Sequence, residues 1–308
     1  MKIKHSILVI TYNQADLIPY CLDSLLNQGV KPYEVVICDD CSTDNTYEVL
    51  QKYKESYPDL IKVYRNEPNL GVFNNINKIK KLATGDFINF VSGDDMLPAG
   101  VLEKYSKFIE EKKLDCTEPF VIYSDCLILN PDGTTRRISN QKVMEKYDVF
   151  ESTALNCLWG WDTGISRGLL DCMLPMETGI GYQADLLWHF DKAVKAKWHF
   201  YIPMDGYIYR ANVGVTAKTK LREHYESKKK VVAKIYERYS DRISPKIRSY
   251  FNFDEALNAY ALNPGISKYC RLVKCYFTAC PFRPNNIYKG KIGVIVPYWI
   301  KKLVRRIL

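Results

Sequence analysis

The sequence predicts an α/β fold: a mostly parallel central sheet with flanking helices, followed by a helical basic C-terminal region. Three observations carry this expectation. From residue 6 to residue 112, short apolar runs alternate with segments of helical periodicity, and strand–helix–strand alternation builds parallel sheets with right-handed crossovers. Three of those runs empty directly into polar clusters, and open parallel sheets carry their ligands at that end of their strands. The net charge of +9 is also uneven, with roughly +13 on residues 221–308 and about −4 on the first 220. We therefore expect a domain over 1–220, made of halves 1–115 and 116–220, and an extension over 221–308.

Ser6-Ile-Leu-Val-Ile-Thr11 is a continuous apolar run, as a strand buried on both faces should be, and Tyr12-Asn13 ends it. Leu17, Cys21, Leu22, Leu25 and Leu26 then repeat at helical spacing, with Pro19 tolerable in the first turn. Glu34 to Cys38 reads as the second strand. It runs into Asp39-Asp-Cys-Ser-Thr-Asp44 and a helix through about Tyr53. Ile61 to Arg65 is the third strand, and a helix near Gly71 to Leu82 leads through Thr84-Gly85 to a fourth, Phe87 to Val91. Pro98 to Lys112 is the next helix. After Phe120 to Asp125 the rhythm changes, because Asn130-Pro-Asp-Gly133 is a hairpin turn between short strands. Ala184 to Ala196 reads as a helix, Trp198 to Ile202 and Tyr207 to Arg210 as strands, and the chain from Leu221 onward as mostly helical.

With 308 residues, 47% of them apolar, the chain can bury a sizeable core. Ten cysteines could suggest a disulfide framework, but the length and the absence of a secretory leader favour thiols in a reducing cytoplasm. No stretch approaches the roughly 20 apolar residues that span a bilayer. Asp94 and Asp95 follow the fourth strand directly. Two like charges side by side are costly unless a cation or hydrogen-bond donors compensate them, so something positive is expected there.

Thr11-Tyr12-Asn13, Asp39-Asp40 with Ser42 and Asp44, and Ser92-Gly93-Asp94-Asp95 each follow a strand, with Asn69-Leu-Gly71 between the second and third. Their order and spacing over about residues 5–216 resemble the inverting, non-processive GT-A glycosyltransferases of family 2. The resemblance implies a nucleotide-sugar half over 1–115 and an acceptor half over 116–220. It places Thr11, Tyr12, Asn13 and either Asp39 or Asp40 against the nucleoside. Asp94 would face the ribose or the metal, and Asp95 would be the principal ligand of Mn²⁺ or Mg²⁺. Ser92 stands where the family's turn has its first Asp; substrate phosphates and waters would complete the cation's shell.

The resemblance also implies a general base from a Glu-Asp pair that opens a helix in the acceptor half. Here the stretch is Gln183-Ala184-Asp185, so only Asp185 is retained, near a helix N-terminus that favours its ionised form. Tyr209-Arg210-Ala-Asn212 resembles the family's Tyr-Arg segment, which puts Arg210 at the diphosphate. The implied reaction is transfer with inversion of one sugar, from a UDP-linked donor to a glycan or lipid-linked acceptor, in envelope polysaccharide assembly.

Alternatives remain at this stage. A catalytically inactive nucleotide-sugar-binding scaffold is compatible with Ser92 and Ala184. A sugar-nucleotidyltransferase would need a Gly-rich phosphate loop, missing from Ile7 to Gln14. A processive synthase would carry a Gln-x-x-Arg-Trp motif and membrane spans. Asp44 reads as a helix cap rather than a ligand, and Trp159 and Trp161 as core aromatics before sugar platforms. Cys38 and Cys41 lack the second ligand pair of a zinc site, and Cys270, Cys275 and Cys280 read as ordinary thiols. His189 and His199 read as core or surface residues. In the tail, apolar Ile292 to Leu308 interleaves with Lys301, Lys302, Arg305 and Arg306, which suits docking on an anionic membrane surface. No nucleic-acid-binding motif is present. The expected location is cytoplasmic, peripheral on the inner face of the membrane.

Overall fold

The computed structural model describes residues 2–155, 158, 163–214 and 220–279. Two compact units divide at residue 219. Trp159, Trp161, Cys280 and the 290–308 tail lie outside the described residues, so the readings placed on them stay sequence readings.

The first unit opens with β1 (His5–Thr11), α1 (Ile18–Leu26), β2 (Glu34–Asp39), α2 (Thr46–Ser56), β3 (Ile61–Arg65), α3 (Val72–Ile79), β4 (Phe87–Ser92) and α4 (Val101–Glu111). This is the alternation expected from the sequence. The uninterrupted apolar runs follow from burial on both faces: Ile7, Val9, Val35, Ile37 and Val91 pack with Ile18, Cys21, Leu22 and Leu25 of α1, while the intervening Leu8, Val36 and Ile88 are buried as well. Pro19 sits in the first turn of α1, where its missing N–H is no loss.

The chain continues through β5 (Phe120–Leu129), β6 (Thr135–Ile138), α5 (Gln141–Lys146), α6 (Val149–Ala154), β7 (Gly164–Ser166), α7 (Arg167–Cys172), α8 (Asp185–Lys195) and β8 (Trp198–Arg210). One eight-stranded sheet results, in the order β3-β2-β1-β4-β7-β5-β6 with β8 paired to β5. β1 to β4 are mutually parallel where they pair, β8 is parallel to β5, and β6 and β7 run antiparallel to β5. The turn at Asn130–Gly133 joins β5 to β6, as expected.

Three features depart from the sequence reading. The two strands expected at 198–202 and 207–210 are one strand, β8, whose register against β5 shifts around Asp125. The extra residues on β8 fall there, around Pro203, which has no ladder donor to offer. β7 is three residues long and carries no periodic signal, yet it joins β4 to β5. The short helices α5, α6 and α7 lie where the sequence pattern predicts none, although α6 and α7 are capped: Asp148 accepts from Glu151 N–H (2.9 Å) and Ser166 from Leu169 N–H (3.1 Å).

The second unit contains α9 (Leu221–Tyr239), α10 (Pro245–Leu262) and α11 (Ile266–Ala279). Aromatic edges tie the helices together, Tyr236 on Phe251 and Phe253 on Tyr276, and Ser244 caps α10 ahead of a first-turn proline. Among the described residues no helix is long and apolar enough to cross a membrane.

Candidate active site at the carboxyl edge of the sheet

Strand register brings the polar clusters to one level. Ile10 of β1 pairs with Cys38 on one side and Ser92 on the other, and Thr11 pairs with Asp39. The chains therefore leave the sheet together. Beyond the strands the ladder continues through Asp40 N–H to Thr11 O (2.9 Å) and Gly93 N–H to Ile10 O (2.9 Å).

The turn after β1 is fastened to the turn after β2. Asn13, in the left-handed region at φ 52°, donates its N–H to Ser42 Oγ (2.9 Å) and accepts from Thr43 N–H at Oδ1 (2.8 Å). Thr11 Oγ1 donates to Gln14 Oε1 (2.7 Å). Asp44 accepts from Thr46 and Ala15 N–H groups, so it anchors this turn at the start of α2. Tyr12 stands out at 45% exposed.

Geometry separates Asp39 from Asp40, which the sequence left as alternatives. Asp40 receives Asn66 Nδ2 (2.7 Å) and Leu70 N–H (2.9 Å) on one oxygen and Gly71 N–H (2.8 Å) on the other, so it clasps the loop before α3. Asp39 accepts from the Ser42 hydroxyl and N–H and pairs with Arg65, whose Nε lies 3.5 Å away, too poorly aligned for a hydrogen bond. Burial raises the Asp39 carboxyl above its ordinary value, partly opposed by Ser42 and Arg65. Arg65 itself is partly exposed, donates Nη2 to Ser42 O (2.9 Å) and lies over the Tyr47 ring at 4.5 Å. Sequence reading missed Arg65; the available signal was a cation closing the third strand, at the same edge as the clusters.

The turn after β4 packs against that of β1. A Cβ on Gly93 would lie 2.5 Å from Gln14 Oε1 and 2.9 Å from Thr11 Cβ, so only glycine allows this approach. The two carboxylates that follow have different surroundings. Asp95 is buried, with Oδ2 accepting from Tyr207 OH (2.9 Å) and Oδ1 from Arg210 N–H (2.8 Å). Burial, then the charge of Asp94, raises its carboxyl to about 7, against the pull of the Arg210 and Tyr207 donors. Asp94 accepts the Ser92 hydroxyl at Oδ1, and its Oδ2 faces Gly214 (φ 73°), where an added Cβ would come within 2.5 Å. The cradle around Oδ2 thus exists because residue 214 has no side chain. The sequence named Asp95 as principal ligand; in the structure both Asp95 oxygens accept from β8, and Asp94 Oδ2 is the cradled oxygen.

Met96 and Ile208 exchange backbone hydrogen bonds (3.1 and 2.9 Å), which seats this turn along the end of β8. Arg210 extends from that end, its guanidinium 4.8 Å from the Tyr20 ring of α1. Asp185 comes from another element as the first residue of α8, half-buried, its Oδ1 accepting from Leu186 N–H (2.9 Å). α8 is held to β4 by Trp188, edge-on to Phe90 at 4.9 Å. The loop that precedes α8 is held to α3, where Asn77 and Met176 exchange two hydrogen bonds (2.9 and 2.7 Å). Hydrogen bonds and close packing therefore join Asp39, Asn13, Thr11, Asp94, Asp95 and Arg210 into one strip, with Asp185 presented by a separate helix.

The remaining titratable groups are quieter. Burial lowers the imidazoles of His189 and His199, which keeps them neutral, and pushes the Cys38 thiol up to about 11. Cys38 and Cys41 both carry free thiols. Among the described residues no cluster of three or more His, Cys, Asp or Glu side chains could hold a metal alone.

The profile of glycosyl transferase family 2 matches residues 6–172. Over 116 residues the chain is 36% identical to the poly(ribitol-phosphate) beta-glucosyltransferase of Bacillus spizizenii, covering 37% of this chain and 18% of that protein. Over 156 residues it is 33% identical to the poly(ribitol-phosphate) beta-N-acetylglucosaminyltransferase TarS of Staphylococcus aureus, covering 50% of this chain and 25% of the other. The matched segments thus span a quarter or less of these relatives. Among solved structures, S. aureus TarS in complex with UDP-GlcNAc superposes with TM-score 0.63 at 21% identity, over 88% of this chain and 79% of that one. The mannosyltransferase PcManGT of Pyrobaculum calidifontis, in complex with GDP-Man and Mn²⁺, gives 0.56 at 19% identity, over 98% and 88%. Those likenesses establish the GT-A fold.

Proposed function

The chain belongs to glycosyl transferase family 2, and from that premise we propose that it moves one sugar, with inversion, from a UDP-sugar to a glycan or lipid-linked acceptor in cell-envelope polysaccharide assembly. The observation that carries this reading is the convergence of three strand-end clusters into one hydrogen-bonded strip, with a carboxylate on a separate helix to serve the acceptor. The UDP assignment takes its support from the relative solved with UDP-GlcNAc.

In this reading the Tyr12 ring lies along the nucleobase. Asp39 accepts from the nucleoside, held in place by Ser42 and Arg65. Asp40 acts one layer back, since its oxygens already carry three donors. Arg210, steadied by Tyr20, meets the diphosphate. Asp185 takes the proton from the acceptor hydroxyl as that oxygen attacks the anomeric carbon opposite the departing nucleoside diphosphate, so no covalent enzyme intermediate forms.

The residues present fit a divalent cation. Asp94 offers a hard oxygen in a cradle that a Cβ at 214 would fill, which suits Mg²⁺ or Mn²⁺ held by few protein ligands plus phosphate and water. When bound, the cation supplies Lewis-acid neutralisation of charge on the leaving phosphate.

A donor screen tests the reading: release of nucleoside diphosphate from UDP-, GDP- and dTDP-sugars, with and without Mn²⁺, for wild type, Asp94→Asn and Asp185→Asn. Metal-dependent release from one donor, lost in Asp94→Asn, is expected; failure of every donor to bind overturns the assignment. The scaffold reading keeps one observation in its favour, the Ser92 hydroxyl in place of a carboxylate, and predicts donor binding with no cleavage under any acceptor. We also place the enzyme peripherally on an anionic membrane through the 290–308 tail, a reading supported by sequence alone. Co-sedimentation with phosphatidylglycerol vesicles should be lost on deleting that tail, and unchanged sedimentation counts against it.

A further inference from the structure

We propose that Asp95 is a positioning residue rather than a metal ligand: with Tyr207 and the Arg210 N–H it forms a latch that fixes the β4 turn to the end of β8 and so aims Asp94. This inference rests on the nucleotide-sugar reading and assigns roles within that site.

Both Asp95 oxygens are engaged by β8, one by the Tyr207 hydroxyl and one by the Arg210 amide. Tyr207 is fully used in turn. Its hydroxyl donates to Asp95 and accepts from Ser92 N–H (3.2 Å), so one phenol oxygen grips the turn at both ends. Burial, reinforced by Asp95, holds Tyr207 protonated and able to donate. Met96 and Ile208 add two backbone bonds beside the latch. Asp94 lies between these fixed points. Its Oδ1 takes the Ser92 hydroxyl and its Oδ2 faces Gly214, so its orientation is dictated by neighbours that the latch holds. The same amide that binds Asp95 belongs to Arg210, which ties the residue next to the cation's carboxylate and the proposed diphosphate arginine to one another. Groups that orient a metal ligand without touching the metal commonly govern affinity.

The two roles differ at one substitution. A ligand needs the negative charge of Asp95, whereas a latch needs only hydrogen-bonding groups of the same shape. In Asp95→Asn the amide oxygen still accepts from Arg210 N–H, and the NH₂ can donate to the Tyr207 oxygen. The experiment is Mn²⁺ titration by electron paramagnetic resonance of the full chain saturated with UDP, together with amide hydrogen exchange at Arg210 in the protein without nucleotide or metal. Asp95→Asn should bind Mn²⁺ within about threefold of wild type and keep the Arg210 amide protected, while Asp95→Ala and Tyr207→Phe weaken Mn²⁺ about tenfold. Faster Arg210 exchange is expected in Asp95→Ala. Asp94→Asn should weaken Mn²⁺ at least about 100-fold with Arg210 protection intact. If Asp95→Asn loses Mn²⁺ as severely as Asp94→Asn, Asp95 is a ligand and the proposal is overturned; wild-type affinity in both Asp95→Ala and Tyr207→Phe overturns it equally. A wild type that binds neither UDP nor Mn²⁺ instead removes the nucleotide-sugar reading, and this role with it.

Discussion

Along β1, β2 and β4 the polar residues hold one another: Asn13 is tied to Ser42, Ser42 to Asp39, Asp40 to the Asn66–Gly71 loop, and Asp95 to β8. In the half built from β5 to β8 the key carboxylate is presented differently. Asp185 opens a helix that packs on Phe90 through Trp188, and the loop before it is gripped by α3 at Met176. One region is organised by strand-end turns hydrogen-bonded to one another and to β8, the other by apolar packing and a loop contact that link α8 and the segment before it to β4 and α3. The first is held by polar bonds at the carboxylates themselves, whereas the second is set by packing away from its carboxylate.

The largest expected effect separates chemistry from binding. Asp185→Asn should lower kcat by roughly 10²- to 10⁴-fold, the span of general-base contributions, and leave nucleotide affinity within about twofold. Equal losses in both would put Asp185 on the nucleotide side and dissolve the contrast. Next comes acid, acting at the opposite edge of the same sheet. Burial lowers His5 from its ordinary 6.5 to about 4, while its Nε2 meets Ser106 Oγ at 2.7 Å and Nδ1 has no hydrogen-bond partner. The unfolded chain therefore binds more protons between those values, and stability is lost as pH falls from 6.5 toward 4, by about 3 kcal/mol at 1.4 kcal/mol per pH unit. His189 and His199 act in the same direction. Urea titrations of wild type and His5→Gln at pH 7 and pH 4.5 should show a flatter dependence in the variant; parallel curves would exclude His5 as a cause.

Asp40→Ala strands three buried or half-buried donors and should cost about 2–3 kcal/mol in unfolding free energy, with exchange at Leu70 and Gly71 amides accelerated. The smallest effect tests remote tuning. Asn77→Ala removes both bonds to Met176 and should destabilise the fold by only about 1 kcal/mol, yet change KM for the acceptor without changing KM for the donor. A matched change in both constants would mean that α3 serves the two halves alike.

The legibility of the sequence divides along the same line. β1 to β4 are buried on both faces or close in clear polar turns, so their runs and the residues after them were visible in single windows of sequence. Arg65 and Tyr207 were not, because one merely ends a strand and the other lies about 110 residues from the carboxylate it touches. β7 was invisible for another reason: three residues cannot show a period, and their strand character comes from sitting between β4 and β5. For Asp94 and Asp95, spacing alone could not say which oxygen is left for a ligand, since the deciding donors come from β8.

The Asp40 clasp bears on timing as well as stability. Because the Asn66–Gly71 loop is fastened by three donors to a carboxylate of the chain itself, the proposed nucleotide capture at this edge should involve little coupled folding. Association should then approach the encounter-limited regime, with a small heat-capacity change, and affinity differences among donors should be written almost entirely in their residence times.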